Sequence, residues 1–172
     1  MYFRREEYAS FWVRLLATLI DLIVFGVVLS ILTSTAAAVV PDTWARPYLI
    51  ITIWAAIALL YFVVLRRSKF RTLGYRACGI KIVGLDGQTP GYLLLTYRLS
   101  VGVACALNWP LDFMWLSNDS NRQTIHDKFA QTFVVRLSAQ PAGQGRIVVR
   151  CYDFVCYHLI FREVEPGESI KL

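Results

Sequence analysis

The sequence predicts an all-α transmembrane fold: a small bundle of about three membrane helices, with short β segments in a loop and in the tail. Three observations carry that expectation. Of 172 residues, 56% are hydrophobic and 17% charged, with a mean hydropathy of +0.48, more apolar than a water-facing surface of this size tolerates. Three apolar runs, Phe11 to Thr33, Tyr48 to Leu65 and, less cleanly, Tyr92 to Leu116, approach or exceed the roughly 20 residues a helix needs to cross a hydrocarbon core. Basic residues gather beside these runs, as juxtamembrane charges do.

The first run carries two charges, Arg14 and Asp21. Its length and its central carboxylate argue against a cleaved leader, although Arg4, Arg5 and the small residues STAAA imitate one. It is expected to be a retained helix. Arg14 and Asp21 are seven residues apart, two helical turns, with Thr18 between them on the same stripe. Arg14 lies near the end of the run and can extend to the phosphates. Asp21 has no such escape, and an ionisable group near the bilayer centre persists where it faces protein or a wet cavity.

A short connection around Pro41, Asp42 and Pro47 leads to the second run, and RRSKFRTLGYRACGIK follows it. Six basic residues, Arg66, Arg67, Lys69, Arg71, Arg76 and Lys81, meet no acid before Asp86. That loop is expected to be cytoplasmic, with the amino terminus on the same side. The net charge of +6 is then mainly a topology signal, and contact with anionic lipid accounts for the cluster better than nucleic-acid binding does. Several of the five tryptophans fall near the ends of the runs, as interfacial aromatics do.

GIKIVG, bounded by glycines and followed by the turn pair Asp86, Gly87, reads as a short strand, and TFVVR has the same character. The third run lies between them. It carries a second polar stripe, Arg98, Cys105 and Asp112 at seven-residue spacing with Asn108 close by, and Pro110 interrupts its helical pattern. A single crossing places the two strands on opposite sides of the membrane. A break at Asn108, Trp109 and Pro110, with the chain turning back, places them on one side, where they can pair. A single crossing is slightly preferred for the count of spans.

Two stripes that avoid lipid are expected to face each other, either as packing glue or as a cation or proton site. Cys151, Cys156 and His158 lack a fourth ligand, so no metal and no cofactor is expected. His126, Asp127 and Lys128 sit beside Arg122 without a nucleophile or a phosphate-cradling loop, so no enzyme is expected; Asp127 reads better as an acceptor that fixes the chain. After the linker SAQPAGQG, the stretch RIVVRCYDFVCYHLIF is too short and too charged to span. It reads as a strand pair, an interfacial segment or a docking element.

FWVRLLATLID, TLGYRACGIKIVGLDG and RQTIHDKFAQTFVV occur in that order between Tyr8 and Arg136. Together they resemble the RDD family of bacterial membrane proteins, named for one arginine and two aspartates. The match falls on Arg14 and Asp21, with Asp127 the best fit to the second aspartate. Leu73, Gly74 and Tyr75 stand where the family often has Pro-Gly-Lys, and Gln131 where it has glycine; Asp112 matches no family position. The resemblance implies a membrane domain over residues 1–136, with 137–172 a tail beyond it, in the bacterial inner membrane. It also implies transport of small ligands or cations, or service to other membrane machinery. Two functions follow as expectations. One is a small cation- or proton-coupled transporter, a homo-oligomer because three spans enclose no pathway, using Arg14, Thr18, Asp21, Arg98, Asn108, Asp112 and Asp127. The other is a scaffold or accessory subunit with a membrane-protein partner.

Overall fold

A computed structural model describes residues 1–104, 119, 121–154 and 157–166. The chain divides into two compact units, one of Trp12–Gly79 and one of Met1–Phe11 with Ile80–Leu172.

The first unit is an antiparallel helical hairpin. Helix α1 spans Phe11–Val39 and α2 spans Arg46–Leu59, running on without interruption as a π-helix over Leu60–Leu65. At 1.5 Å per residue, these 29 and 20 residues reach about 43 and 30 Å, enough to cross a bilayer. Only 11% and 6% of their apolar windows are buried, whereas a water-soluble core helix would bury most of its surface. The exposed side chains are those lipid accepts, among them Leu16, Ile23, Val27, Ile31 and Ile51. Helix α1 runs six residues beyond the apolar run, because the alanines of STAAA are strong helix formers and Thr35 donates back to the Ile31 carbonyl at 2.8 Å. Pro47 sits in the first turn of α2, where its missing N–H costs nothing. The helices meet through Trp54 Nε1 donating to Thr33 Oγ1 at 3.0 Å, and through the Phe25 ring against Phe62 at 5.1 Å. The helix continues through Arg67, and a turn over residues 68–72 leads to the short helix α3, Leu73–Ala77.

The second unit is built on strands β1, Ile80–Gly84, and β2, Thr132–Arg136, paired antiparallel from Ile80 opposite Arg136 to Gly84 opposite Thr132. The chain start lies along the other edge of β2: Ala9 N donates to Val134 O at 2.9 Å and Arg136 N to Glu7 O at 2.8 Å. Phe3, Tyr8, Val83, Phe133, Val135 and Ala139 form its core with Val164. Helix α4 is described over Tyr92–Ala104, and α5, Ile125–Phe129, precedes β2. The tail is an antiparallel pair, β3, Gly145–Phe154, with β4, Tyr157–Pro166, so of the three forms expected for it the strand pair is the one present.

The long apolar helices are accompanied by two strand pairs, at the loop and tail positions where short β segments were expected, so the fold mixes helices with more strand than an all-α bundle; Val, Ile, Phe and Thr favour extended chain there. The strands flanking the third run pair with each other, as expected if that run turns back, while its interruption at Asn108, Trp109 and Pro110 lies outside the described residues. Among the described residues two helices, not three, have the length of a span.

Gln131 has φ 51°. A residue with a Cβ in the left-handed region carries about 1 kcal/mol of strain. Gln131→Gly is therefore expected to stabilise the protein by about 0.5 kcal/mol, net of the greater freedom of glycine in the unfolded chain. Thermal unfolding in detergent checks this.

Candidate functional site

The arginines and aspartates resolve into two carboxylate centres. The first is built on α1, whose buried residues are Arg14, Ala17 and Asp21, a stripe at helical spacing with Thr18 half-buried at its margin. Asp21 is fully buried. Its Oδ1 accepts from the Tyr61 hydroxyl at 3.0 Å and from the Gly74 backbone N–H at 2.7 Å. Its Oδ2 accepts from Arg66 Nη2 at 3.2 Å and from Thr72 Oγ1 at 2.8 Å. A carboxylate has about four lone-pair positions, so these four donors fill it.

The local sequence explains how the donors converge. Residues 61 and 66 would stand about 140° apart on an α-helix. The wider i→i+5 winding of Leu60–Leu65 brings them toward one side, and both reach Asp21. Arg66 also lies over the Tyr75 ring at 4.4 Å and the Phe62 ring at 5.2 Å, a desolvated position that favours a guanidinium. Thr72 and Gly74 open α3, and the absence of a side chain at Gly74 is a steric requirement: a Cβ there would lie 2.0 Å from the Ala17 carbonyl oxygen.

The second centre is Asp127 on α5. Thr124 and Asp127 form a reciprocal capping box, with Thr124 N donating to Asp127 Oδ2 and Asp127 N to Thr124 Oγ1, each at 3.3 Å. Asp127 Oδ1 accepts from Arg98 Nε at 2.8 Å, and Arg98 Nη2 donates to the same oxygen. His126 Nε2 lies 3.8 Å from it. The partners of Asp127 are thus those an acceptor fixing the chain requires.

Lys128 forms a third, fully buried cluster. Its ammonium donates to Asp119 Oδ1 at 2.6 Å and to Glu163 Oε1 on β4, while the Tyr152 hydroxyl on β3 donates to Glu163 at 2.6 Å. The ammonium also lies 4.6 Å from the Tyr152 ring centre. Burial works to lower the Lys128 pKa, but the hydrogen bonds to Asp119 and Glu163 outweigh it and hold the group above its ordinary value. Burial, then the bond to Glu163, pushes the Tyr152 hydroxyl up as well.

The residues singled out by sequence are therefore divided. Arg98 joins Asp127, and Asp21 takes its donors from residues 61–74, not from the Arg98 stripe as expected. Arg14 is 6% exposed, held in protein instead of extended to headgroups. Asn108 and Asp112 lie outside the described residues. Tyr61, Arg66, Thr72 and Gly74 escaped sequence reasoning, as did the tie of Lys128 to Glu163. The one available signal was the hydroxyl and glycine of TLG directly after a basic, membrane-flanking run.

The model of the RDD family matches residues 8–131, taking in both carboxylate centres. The chain belongs to the RDD family. A relative described as the uncharacterized protein YckC of Bacillus subtilis (strain 168) is 25% identical over 131 residues, which cover 73% of this chain and 83% of the relative. No solved structure matches. Family membership and two spanning-length helices make this a membrane protein. The strand pair β3–β4 lies beyond the matched residues, so the Lys128 cluster joins the RDD domain to a tail that the family model does not include.

Proposed function

We propose that this RDD protein is a multi-pass membrane scaffold or accessory subunit whose buried charges hold its shape. It resides in a bacterial inner membrane with the amino terminus, β1–β2 and the tail on the cytoplasmic side. The observation that carries this reading is the filled carboxylate of Asp21. Four donors from the protein occupy its acceptor positions, leaving no lone pair for a transported cation and neutralising its charge with Arg66. Asp127 is committed to a capping box and an arginine in the same way. No catalysis is part of this reading, and the partner is a second copy or another membrane protein.

The alternative is a cation- or proton-coupled transporter, and one feature favours it: a π-helical turn beside an intramembrane ion pair is the kind of irregularity that collects at functional positions. Asp21→Asn separates the two. An amide oxygen keeps two of the four acceptor positions and loses the charge that pairs Arg66, so the scaffold reading expects a loss of about 2 kcal/mol. Parent and variant vesicles should then show identical cation flux. The transporter reading expects a folded variant that has lost pH-dependent flux. A variant as stable as the parent, with unchanged flux, would remove Asp21 from both roles.

The orientation has its own test. Cys78 lies two residues before β1 and Cys151 lies in β3, so a membrane-impermeant thiol reagent should reach both only from the cytoplasmic side. Cys151, the exposed thiol, should react first, because burial and then the charge of Asp21 push the Cys78 thiol above its ordinary pKa. Labelling of intact cells from outside at either position would overturn the orientation.

A further inference from the structure

We infer that the segment leaving α2, residues 67–76, which takes in the turn and the opening of α3, is a binding site for the headgroup of an anionic phospholipid. The inference rests on the proposed orientation and deepens it by naming a ligand.

The chain itself fixes where this segment lies, because it begins two residues after Leu65, the last residue of a 20-residue spanning-length helix. Arg66 is turned back to Asp21 and keeps only 16% of its side chain exposed. Arg67, Lys69 and Arg76 are exposed. Among them stand two large apolar side chains that water does not favour, Phe70 at 73% and Leu73 at 50% exposure. Cations alone would suit any polyanion. Cations interleaved with an exposed phenyl ring, at the depth where a helix leaves the hydrocarbon, suit a phosphate with acyl chains beneath it.

The turn is also built to hold this form. Ser68 N donates to Val64 O and Phe70 N to Ser68 Oγ, at 3.1 and 3.2 Å. Arg71 takes φ 54°, a conformation that persists only where its surroundings impose it. At the far end, Thr72 and Gly74 are tied to Asp21. Holding the turn in one shape reduces the ordering that binding would otherwise require. The buried aspartate thus serves a surface site by positioning the loop that carries it.

The test uses the full chain in nanodiscs of phosphatidylcholine, titrated with phosphatidylglycerol, with lipid retained after detergent exchange read by native mass spectrometry. The parent should retain phosphatidylglycerol at least tenfold over phosphatidylcholine. Lys69→Gln/Arg76→Gln should weaken that retention about 30-fold, roughly fivefold for each cation at an anionic surface. Lys69→Gln alone should give about fivefold, which serves if the double variant does not fold. Phe70→Ala should weaken both lipids. Arg4→Gln/Arg5→Gln removes equal charge from exposed positions elsewhere and should leave the preference intact. The inference fails if the Lys69 variants keep the parental preference, or if the Arg4/Arg5 pair matters as much. It also fails if inorganic phosphate at tens of millimolar displaces the lipid, or if a DNA duplex competes and is lost in the same variants. Thiol labelling from outside would instead overturn the orientation, so the two failures are distinguishable.

Discussion

Gly74→Ala is expected to lower the stability of the purified protein by about 3 to 5 kcal/mol, roughly 10 °C in Tm for a chain of this size. The added Cβ would stand 2.0 Å from the Ala17 carbonyl oxygen and 2.8 Å from Asp21 Oδ1. The first of these is main chain of α1, which cannot move aside as a flexible side chain can. Relief requires α3 to withdraw, and withdrawal stretches the 2.7 Å bond from Gly74 N to Asp21, leaving a buried, charged acceptor short of a donor. Two comparisons make the mechanism specific. Ala17→Gly should not rescue the variant, because the obstacle is a backbone oxygen. Gly26→Ala meets nothing within 4 Å and should be neutral or stabilising by about 0.5 to 1 kcal/mol, since alanine is the better helix former. Rescue by Ala17→Gly, or equal losses at Gly74 and Gly26, would mean that close approach of α3 to α1 is not what the glycine provides.

The contrast between Gly74 and Asp21 shows what the sequence could and could not reveal. A lone carboxylate in an apolar run announces a buried polar contact from composition alone, since lipid offers it nothing. Its partners stand 40 to 53 residues away, and no local periodicity encodes such distances. The π-helical winding was equally hidden, because LYFVVL is as apolar and as regular as any span. Strands were legible at GIKIVG and TFVVR from β-branched residues between turn signals, but their pairing was open until hydrogen bonds decided it. The break that hydropathy suggests around Pro110 lies outside the described residues. The helix ends were legible only approximately: hydropathy falls at Thr33, whereas helix propensity carries α1 through the alanines to Val39.

Lys128→Met is expected to cost about 3 to 5 kcal/mol and to release the tail from the RDD domain. The ammonium of Lys128 is fully buried between Asp119 and Glu163. Removing it leaves two carboxylates, 5% and 4% exposed, without the cation that joins them. Water can reach Glu163 only if β4 moves outward, so β3–β4 should lose its docking before the β1–β2 ladder opens. Hydrogen exchange should show that order, with amides of residues 145–166 losing protection while those of 132–136 keep it. The pH profile supplies a second check. The folded pKa of Lys128 lies above its ordinary 10.5 and that of Tyr152 above 10.0, so both groups favour the folded state in their protonated forms. Their contribution is fully present at neutral pH and is lost as pH rises past about 10 through the folded values. Parental Tm should therefore be flat near neutrality and fall in alkali, with exchange in 145–166 rising first. Lys128→Met should show a smaller alkaline fall in the protection of 145–166, having lost one of the groups that titrate there. Arg150→Gln, which removes the pairs of a half-exposed arginine with Glu165 and, at 3.6 Å, with Glu163, should leave Lys128 on Glu163 and tail protection largely unchanged. If Lys128→Met keeps the tail protected while Arg150→Gln releases it, the hairpin is held from its surface and the buried lysine is not its anchor.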